Sequence, residues 1–456
     1  MLLNRIQRQV LMFLLFLGLA TGMVVGFNSI SVEGGGNFGQ PETEIPATLF
    51  GMHMHHVATT PTYRTDPPIT QLTSWPSVPI ASWRLVDAYV EWFALEPQKG
   101  EWNFEILDKS LELAEKHQVE PLMYLGFSPI WASQRPDEPS AYGPGKAAPP
   151  KNIEDWRNYV RTVATRYKGR IHYYELWNEP NGYKRFYTGT VAEMVELSRE
   201  AYQILKEVDP TITVVSPSAT GDWGSSPGVE WLEEFLSQGG GDYADVIGYH
   251  FYVMPGPPEN MMPLIQKVQA VMAKYGQNHK PLWNTESGWL GDQAFSSEDK
   301  AAAYVARSYV LNWSAGVKRL YWYAWDSTWG VKIHLTHSDT ETLTAAGVAY
   351  AEVQKWLVGA QMRSCESLSD KTWICSLERD RDYRGWIVWN PQKELMFSVP
   401  EDWEIEGVRH LTGEQDTGSK DWIKISPTPI LLENRTSAVN PDIPSRLSSE
   451  RSRVKL

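Results

Sequence analysis

The sequence predicts an α/β protein, a (β/α)8 TIM barrel followed by a small C-terminal β-sandwich-like domain. Three observations point there. Between residues 48 and 360, short apolar runs recur at 48–54, 81–86, 120–125, 171–177, 212–216, 245–250, 281–285 and 318–325. Most of the gaps hold a helical pattern, at 103–117, 152–168, 191–208, 260–275, 298–315 and 343–358. Strands that alternate with helices pair in parallel through crossovers. After Gly359 the helical texture stops and alternating runs with turns take over, as in Thr372–Leu377, Gly385–Trp389 and Pro429–Leu432. Eight strand–helix units over this length suit a closed barrel. An open doubly wound sheet usually carries a Gly-rich phosphate turn after its first strand. Here the first run leads into Met52-His53-Met54-His55-His56 instead.

The segments divide the chain of 456 residues into a leader at 1–27, a flexible linker at 28–46, a barrel at 47–360, a β-rich domain at 361–433 and a disordered tail at 434–456. In the leader, Arg5 and Arg8 precede an uncharged stretch of 18 residues from Val10 to Phe27, a length on the border between a signal-peptide core and a spanning helix. The arginines favour an inside N-terminus with the remainder exported. Two readings stand, an uncleaved anchor and a cleaved signal peptide, and both place the barrel outside the cytoplasm with membrane contact only through the leader. Gly34 to Gly36 and Pro41 mark the linker, and Arg435, Arg446, Arg451 and Arg453 stand in the polar tail. Cys365 and Cys375 bracket a turn between two strand-like runs, which in an exported protein suggests a disulfide.

Composition narrows the function. The 42 basic residues against 55 acidic ones give a net charge of −13, which argues against a nucleic-acid partner. The excess is in aromatics, with 21 Trp and 21 Tyr. A core needs few indoles, whereas flat aromatic faces suit the C–H faces of sugars, so a carbohydrate partner is expected. Trp131, Trp223, Trp289 and Trp329 fall in loops at the barrel mouth, where stacking on sugar and plain loop packing are both open. Trp156, Trp313 and Trp356 fall within helices and read as core. The long Pro-rich loop from Ser128 to Pro150 is placed to wall a cleft. Such walls suggest an extended glycan and endo action, with exo action left open.

The chemistry lies at two strand ends. Catalytic groups of a barrel sit at the C-terminal ends of its strands. The fourth ends in Glu175-Leu176-Trp177-Asn178-Glu179-Pro180-Asn181 and the seventh in Trp283-Asn284-Thr285-Glu286-Ser287-Gly288-Trp289. These strands lie across the barrel from each other, so Glu179 and Glu286 face one another, as glycosidic cleavage requires. Neither cofactor nor metal is needed for such a pair. Asn178 and Glu179 are adjacent, and both reach the cleft only if the strand ends or bulges there.

At this point the sequence resembles glycoside hydrolase clan A, with most likeness to family 39 and to exopolysaccharide-associated endoglycosidases. The run Trp177-Asn178-Glu179-Pro180-Asn181 is similar to the clan's acid/base motif, and Glu286 falls where the clan has its nucleophile. The resemblance covers the barrel, about two thirds of the chain. It implies that Arg84, in Ser82-Trp83-Arg84-Leu85, holds the nucleophile ionised. His250 and Tyr252 resemble the clan's His-x-Tyr pair, with Tyr252 donating to Glu286 and His250 lining the cleft. Trp325 resembles the aromatic platform beneath the sugar, and Asn178 the amide that contacts its 2-hydroxyl. The third strand ends in Gly126-Phe127-Ser128-Pro129 and lacks a histidine that some clan members carry; His53 or His55 is placed to fill that space. The implied mechanism retains anomeric configuration, with Glu179 as acid/base, Glu286 as nucleophile and carboxyls about 5–5.5 Å apart.

Two other functions fit parts of the pattern. A metal-dependent amidohydrolase would use His53-Met54-His55 with His250 and Asp326, but the fifth run, Thr213-Val214-Val215-Ser216, offers no histidine. A non-catalytic carbohydrate-binding protein on a decayed barrel would share the aromatic excess.

Overall fold

The structure, a computed structural model, describes residues 43–59, 72–182, 185–224, 227–290, 295–326, 330–339, 341–380, 382–418 and 420–435. The expected leader, most of the expected linker, Trp329 and residues 436–456 lie outside the described residues. Among the described residues no helix is long and apolar enough to cross a membrane.

The barrel strands are β1 (Phe50–His53), β2 (Ser82–Arg84), β3 (Glu120–Leu125), β4 (Tyr173–Leu176), β5 (Thr213–Val215), β6 (Ala219–Thr220), β7 (Ile247–His250), β8 (Leu282–Gly288) and β9 (Val317–Tyr323). They form one parallel sheet in the order β5-β4-β3-β2-β1-β9-β8-β7-β6. Parallel bridges Val215↔Val246 and Asn178↔Ser218 join its two ends. The fifth strand position is therefore filled by two pieces, β5 inside the predicted run at 212–216 and β6 beyond it, split at Ser216-Pro217-Ser218. Proline has no N–H for a ladder, which explains the interruption. β8 runs further than the expected 281–285 and carries Glu286 within it.

Helices Glu105–Lys116, Ile153–Arg166, Val191–Val208, Met261–Lys274, Glu298–Ser314 and Ala345–Leu357 lie inside the predicted windows. A further helix, Gly228–Ser237, follows β6. Their starts carry side-chain caps that satisfy first-turn N–H groups: Asn152, Thr190 in a capping box with Glu193, Ser297 and Thr344. Trp156, Trp313 and Trp356 are at most 2% exposed, so these three indoles are core.

The floor of the barrel is apolar and aromatic, with Leu122, Val215, Val246, Trp283 and Tyr321 packed together. Arg319 closes it, its guanidinium 4.4 Å from the Tyr173 ring and 4.2 Å from that of Trp283, and paired with Glu120 at 2.7 Å. This layer leaves the upper half of the barrel for polar groups.

After Gly359 the chain forms antiparallel strands β10 (Gln361–Ser367), β11 (Trp373–Arg379), β12 (Tyr383–Trp389), β13 (Leu395–Ser398), β14 (Gly407–His410), β15 (Gln415–Thr417), β16 (Trp422–Ile425) and β17 (Ile430–Glu433). Six pair in the order β10-β11-β12-β17-β14-β15, and β13 pairs β16. Alternation along β12 splits its side chains: Trp386 and Val388 pack toward Leu395, Phe397 and Ile425, while Ile387 and Trp389 join the barrel core. Cys365 and Cys375 are register partners and are disulfide-bonded.

Polar contacts tie this sheet to the barrel. Trp389 Nε1 donates to Glu259 at 2.8 Å, and Glu259 also takes Arg307 from helix Glu298–Ser314. Arg379 Nη2 donates to the carbonyls of Lys355, Trp356 and Val358 at 2.6, 2.7 and 3.2 Å, capping the end of helix Ala345–Leu357. At the boundaries, Ile45 is buried and its N–H donates to Ala360 O at 2.8 Å, within the expected linker. Asn434 bonds Arg384 N at 2.8 Å, so the ordered edge reaches into the expected tail.

Arg379→Ala removes these charge-assisted bonds and leaves three carbonyls to water. Urea unfolding of this variant is expected to show a loss of about 2 kcal/mol.

Candidate active site

Two strands break their alternation where the polar layer begins. On β4, Tyr173 and Glu175 face the barrel interior, and continued alternation would send Trp177 inward and Asn178 outward. Instead Trp177 turns left-handed, with φ 62°, and Glu179 follows with φ 44°. The indole of Trp177 packs outward near Phe127 and Tyr187, its N–H on Phe186 O at 2.7 Å. Asn178 and Glu179 are thereby both swung to the cleft, the bulge that the sequence required. On β8 the register against β9 shifts between Asn284 and Ser287. Adjacent residues Thr285 and Glu286 can then both point inward.

Arg84, at the end of β2, is completely buried and stands at the centre. Its Nε donates to Glu175 Oε2 at 2.5 Å, its Nη1 to Glu286 Oε2 at 2.8 Å, and its Nη2 to Asn178 Oδ1 at 2.7 Å. Burial opposes the charge of Arg84, but Glu175 and Glu286 outweigh it and hold its pKa above the usual range. Glu175 is fully buried too, and accepts further bonds from Ser218 and Thr285 at 2.5 and 2.8 Å.

Glu286 also accepts from the Tyr252 hydroxyl at 3.0 Å. Glu179 lies 2.9 Å from His250 Nδ1, and its backbone N–H is held by Ser218 O. One oxygen each of Glu179 and Glu286, with a His250 nitrogen, lie within 4.8 Å of one another. Burial is the main cause that pushes both carboxyls up, each to about 7. Two carboxylates this close resist ionising together, so the site favours a single proton between them. Arg84 and the Tyr252 hydroxyl stabilise charge on Glu286, which leaves that proton to Glu179. Burial pulls His250 down to about 4, so its ring is neutral at pH 7.

His53 is fixed as a neutral ring. Arg84 Nη1, 3.1 Å away, can only donate, so His53 Nε2 accepts and Nδ1–H donates to Trp322 O at 3.1 Å. Burial, then Arg84, hold its pKa well below the usual value. Asp326 accepts the backbone N–H groups of His55 and His56 at 2.8 and 2.7 Å and the Thr73 hydroxyl at 2.7 Å. The ring of His53 and the carboxylate of Asp326, two of the groups that an amidohydrolase would turn toward a metal, are thereby occupied by protein partners. Among the described residues, Glu179, His250 and Glu286 are the group spaced to share a cation, and the guanidinium of Arg84 already sits on Glu286.

The structure thus assembles Arg84, Asn178, Glu179, His250, Tyr252, Glu286 and His53, and sets His55 on the adjoining wall. Trp325 is corrected: it is 2% exposed, and its N–H points to Ser74 O at 3.4 Å. The aromatic ring beside the cleft histidines is Tyr323, centred 5.1 Å from each of His53 and His55. β9 ends at Tyr323, and the chain then turns Trp325 into the core. Of the mouth tryptophans, Trp131 bonds Glu96 O at 2.9 Å and Trp289 packs edge-on against Phe295 and Tyr304, and both are half-buried. Trp223 is 37% exposed and remains available for stacking. Sequence reasoning gave no role to Glu175, although an acid inside the strand run His172-Tyr173-Tyr174-Glu175-Leu176 needs a buried partner, and Arg84 on another strand supplies it.

The sequence profile described as glycosyl hydrolases family 39 matches residues 83–312, half of the chain. A β-xylosidase of Geobacillus stearothermophilus is 26% identical over 233 residues, 45% of this chain and 45% of that enzyme. A β-xylosidase of Caldicellulosiruptor saccharolyticus is 28% identical over 181 residues, 38% of this chain and 35% of that one. The chain therefore spans less than half the length of these curated relatives. The solved structure of a family 39 glycoside hydrolase from Bacteroides cellulosilyticus shares the fold at 20% identity and a TM-score of 0.62, over 77% of this chain and 75% of that one. A family 39 β-xylosidase structure from Caulobacter crescentus does so at 15% and 0.57, over 78% and 88%.

Glu175→Gln removes the inner counter-charge of a buried guanidinium. It is expected to lower the unfolding free energy in urea by about 3 kcal/mol. Glu286→Gln leaves the Arg84–Glu175 pair intact and is expected to cost less in the same measurement.

Proposed function

The chain belongs to glycosyl hydrolases family 39, and from that premise we propose that it hydrolyses O-glycosidic bonds of an oligo- or polysaccharide with retention of configuration. The observation that carries this reading is the pair Glu179 and Glu286, with carboxyl oxygens within 4.8 Å. So close an approach of one oxygen from each carboxyl suits direct attack by one carboxylate while the other protonates the leaving group, as retention requires.

Glu286 attacks the anomeric carbon, while Glu179 gives its proton to the leaving oxygen. Glu179, now charged, next takes a proton from water as that water releases the sugar from Glu286. Arg84 and Tyr252 favour the ionised nucleophile against the burial that raises its pKa. Arg84 on Asn178 Oδ1 orients that amide so that its NH2 faces outward as a donor for a sugar hydroxyl. A carbohydrate is the partner in this scheme, and β-xylosides are the first substrates to try, since the curated relatives above carry that activity in their names. The bonded pair Cys365–Cys375 supports an exported location. We place the barrel outside the cytoplasm on that basis and on the leader, which either anchors the chain or is cleaved.

Three outcomes test the reading. Proton NMR of the first-formed product on a xylo-oligosaccharide is expected to show the starting anomer, and an inverted anomer refutes the mechanism. Glu286→Ala should lower kcat by at least 10⁴-fold, with partial rescue by azide and a glycosyl azide product. The pH profile of kcat/KM should be a bell. Its basic limb falls near pH 7, where Glu179 loses the proton that the leaving oxygen needs. The acid limb falls as Glu286 takes up a proton and stops attacking. Glu179→Gln should abolish the basic limb.

A further inference from the structure

Asp87 has no part in the chemistry above. It lies three residues beyond Arg84 and is the one residue of 81–92 that is not buried. Its backbone is left-handed, with φ 57°. Two tyrosine hydroxyls from separate elements hold its carboxylate. Tyr142, from the loop at 128–150, donates to Oδ1 at 2.5 Å, and Tyr323, at the end of β9, donates to Oδ2 at 2.8 Å. Tyr323 is the ring that stands 5.1 Å from both His53 and His55, so Asp87 opens onto the same cleft.

Its side of the cleft follows from the acid. Glu179 comes from the end of β4, with Thr220 of β6 and Arg185 near it, and it must reach the leaving oxygen from there. The wall built by β1, β2 and β9 adjoins β8, with His53 3.8 Å from Glu286, so His53, Tyr323 and Asp87 are placed on the side of the sugar that stays on Glu286. A carboxylate oxygen has two lone pairs, and one tyrosine on each leaves one per oxygen for a ligand. A carboxylate accepts hydrogen bonds and donates none, so it suits hydroxyls and opposes another anion.

Resting on the hydrolase reading of this site, we propose that Asp87 is a specificity-determining residue: it accepts hydrogen bonds from hydroxyls of a neutral sugar on the glycone side and repels a uronate there. The electrostatics agree. The charge of Asp87 is felt by Glu179 and Glu286 and helps keep the pKa of both raised. A residue that merely joined two tyrosines would need no such charge beside two crowded carboxyls.

The test uses wild type, Asp87→Asn and Tyr142→Phe with 4-nitrophenyl β-D-xyloside, β-D-glucoside and β-D-glucuronide. Asparagine keeps the shape and tolerates the left-handed backbone, so folding is preserved. Asp87→Asn is expected to lower kcat/KM on the neutral substrates by roughly 10- to 100-fold, mostly through KM, as loss of hydrogen bonds to a charged acceptor implies. It should narrow the gap between glucoside and glucuronide at least tenfold. It should also move the basic limb of the pH profile to lower pH, because a charge that holds the proton on Glu179 is gone. Tyr142→Phe should show a smaller KM effect and no narrowing. Neutral-substrate kinetics within twofold of wild type, or an unchanged gap, would overturn the proposal. A wild type inert on all three is a failure of the hydrolase reading on aryl glycosides. Calorimetric titration of xylotriose into Glu286→Gln, with and without Asp87→Asn, then decides. Weakening of at least tenfold supports Asp87 as a sugar contact; equal affinity, or no binding in either, overturns it.

Discussion

A guanidinium buried completely in the middle of a barrel is stable only where its N–H groups find acceptors and its charge finds a counter-charge. Arg84 bonds four of its five N–H to groups from three other strands, and two of those groups are carboxylates: His53 on β1, Glu175 and Asn178 from β4 and its extension, and Glu286 on β8. Much of the upper barrel follows from it. The planar fork fixes the relative heights of β2, β4 and β8, because no acceptor can shift without leaving a buried donor unpaired. It also sets the protonation pattern. One carboxylate, Glu175, neutralises the arginine from inside, so the second, Glu286, shares the charge without being locked beneath it. Glu179 receives no bond from Arg84 and keeps its proton through burial.

Presenting adjacent residues on one face is the second constraint. A regular strand cannot show both Asn178 and Glu179, or both Thr285 and Glu286, to the same cavity. The left-handed turns at Trp177 and Glu179 and the register shift in β8 remove that obstacle. Such backbone costs of order 1–3 kcal/mol at each non-glycine residue. Packing offsets it: Trp177 is seated among Phe127, Tyr187 and Trp156, and Glu179 N–H is tied to Ser218 O. The loop at 128–150 adds to this anchoring, through Ala141 N on Arg185 O at 2.9 Å and Thr188 N on Ala147 O at 2.9 Å. The walls of the third and fourth strand loops therefore act as one piece around the acid.

The barrel and the β-rich region divide the remaining work. The apolar floor with Arg319 keeps the lower half of the barrel closed, so a ligand has access only from the end that carries the carboxyls. The six-stranded sheet covers helices Glu298–Ser314 and Ala345–Leu357, which explains why the first of these is buried along nearly its whole length. Both helices flank β9, and β9 delivers Tyr323 to the cleft. A sheet remote in sequence from the active site thereby steadies one of its walls.

The periodic runs and their helical gaps were enough to predict the eight barrel strands, and the change of texture after Gly359 located the β-rich region. Local patterns carry such information because burial repeats every two residues in a strand and about every 3.6 in a helix. Glu179 and Glu286 were legible for a related reason, since each follows a predicted strand run and strand ends converge in a barrel whatever the details of packing; Arg84, His250 and Tyr252 were legible through the resemblance to clan A. What needed the tertiary structure depended on contacts between distant segments. The role of Glu175 appears only when β4 lies beside Ser218, Thr285 and Arg84. Asp87 gains meaning only once Tyr142 and Tyr323, 55 and 236 residues away, meet on its carboxylate. The exchange of Trp325 for Tyr323 as the aromatic at the cleft is of the same kind, since sequence shows that an aromatic is present but not which way the chain turns after the strand. Sequence determined which residues reach the mouth of this barrel; three-dimensional packing decided which of them meet, because pairing energies act through space and not along the chain.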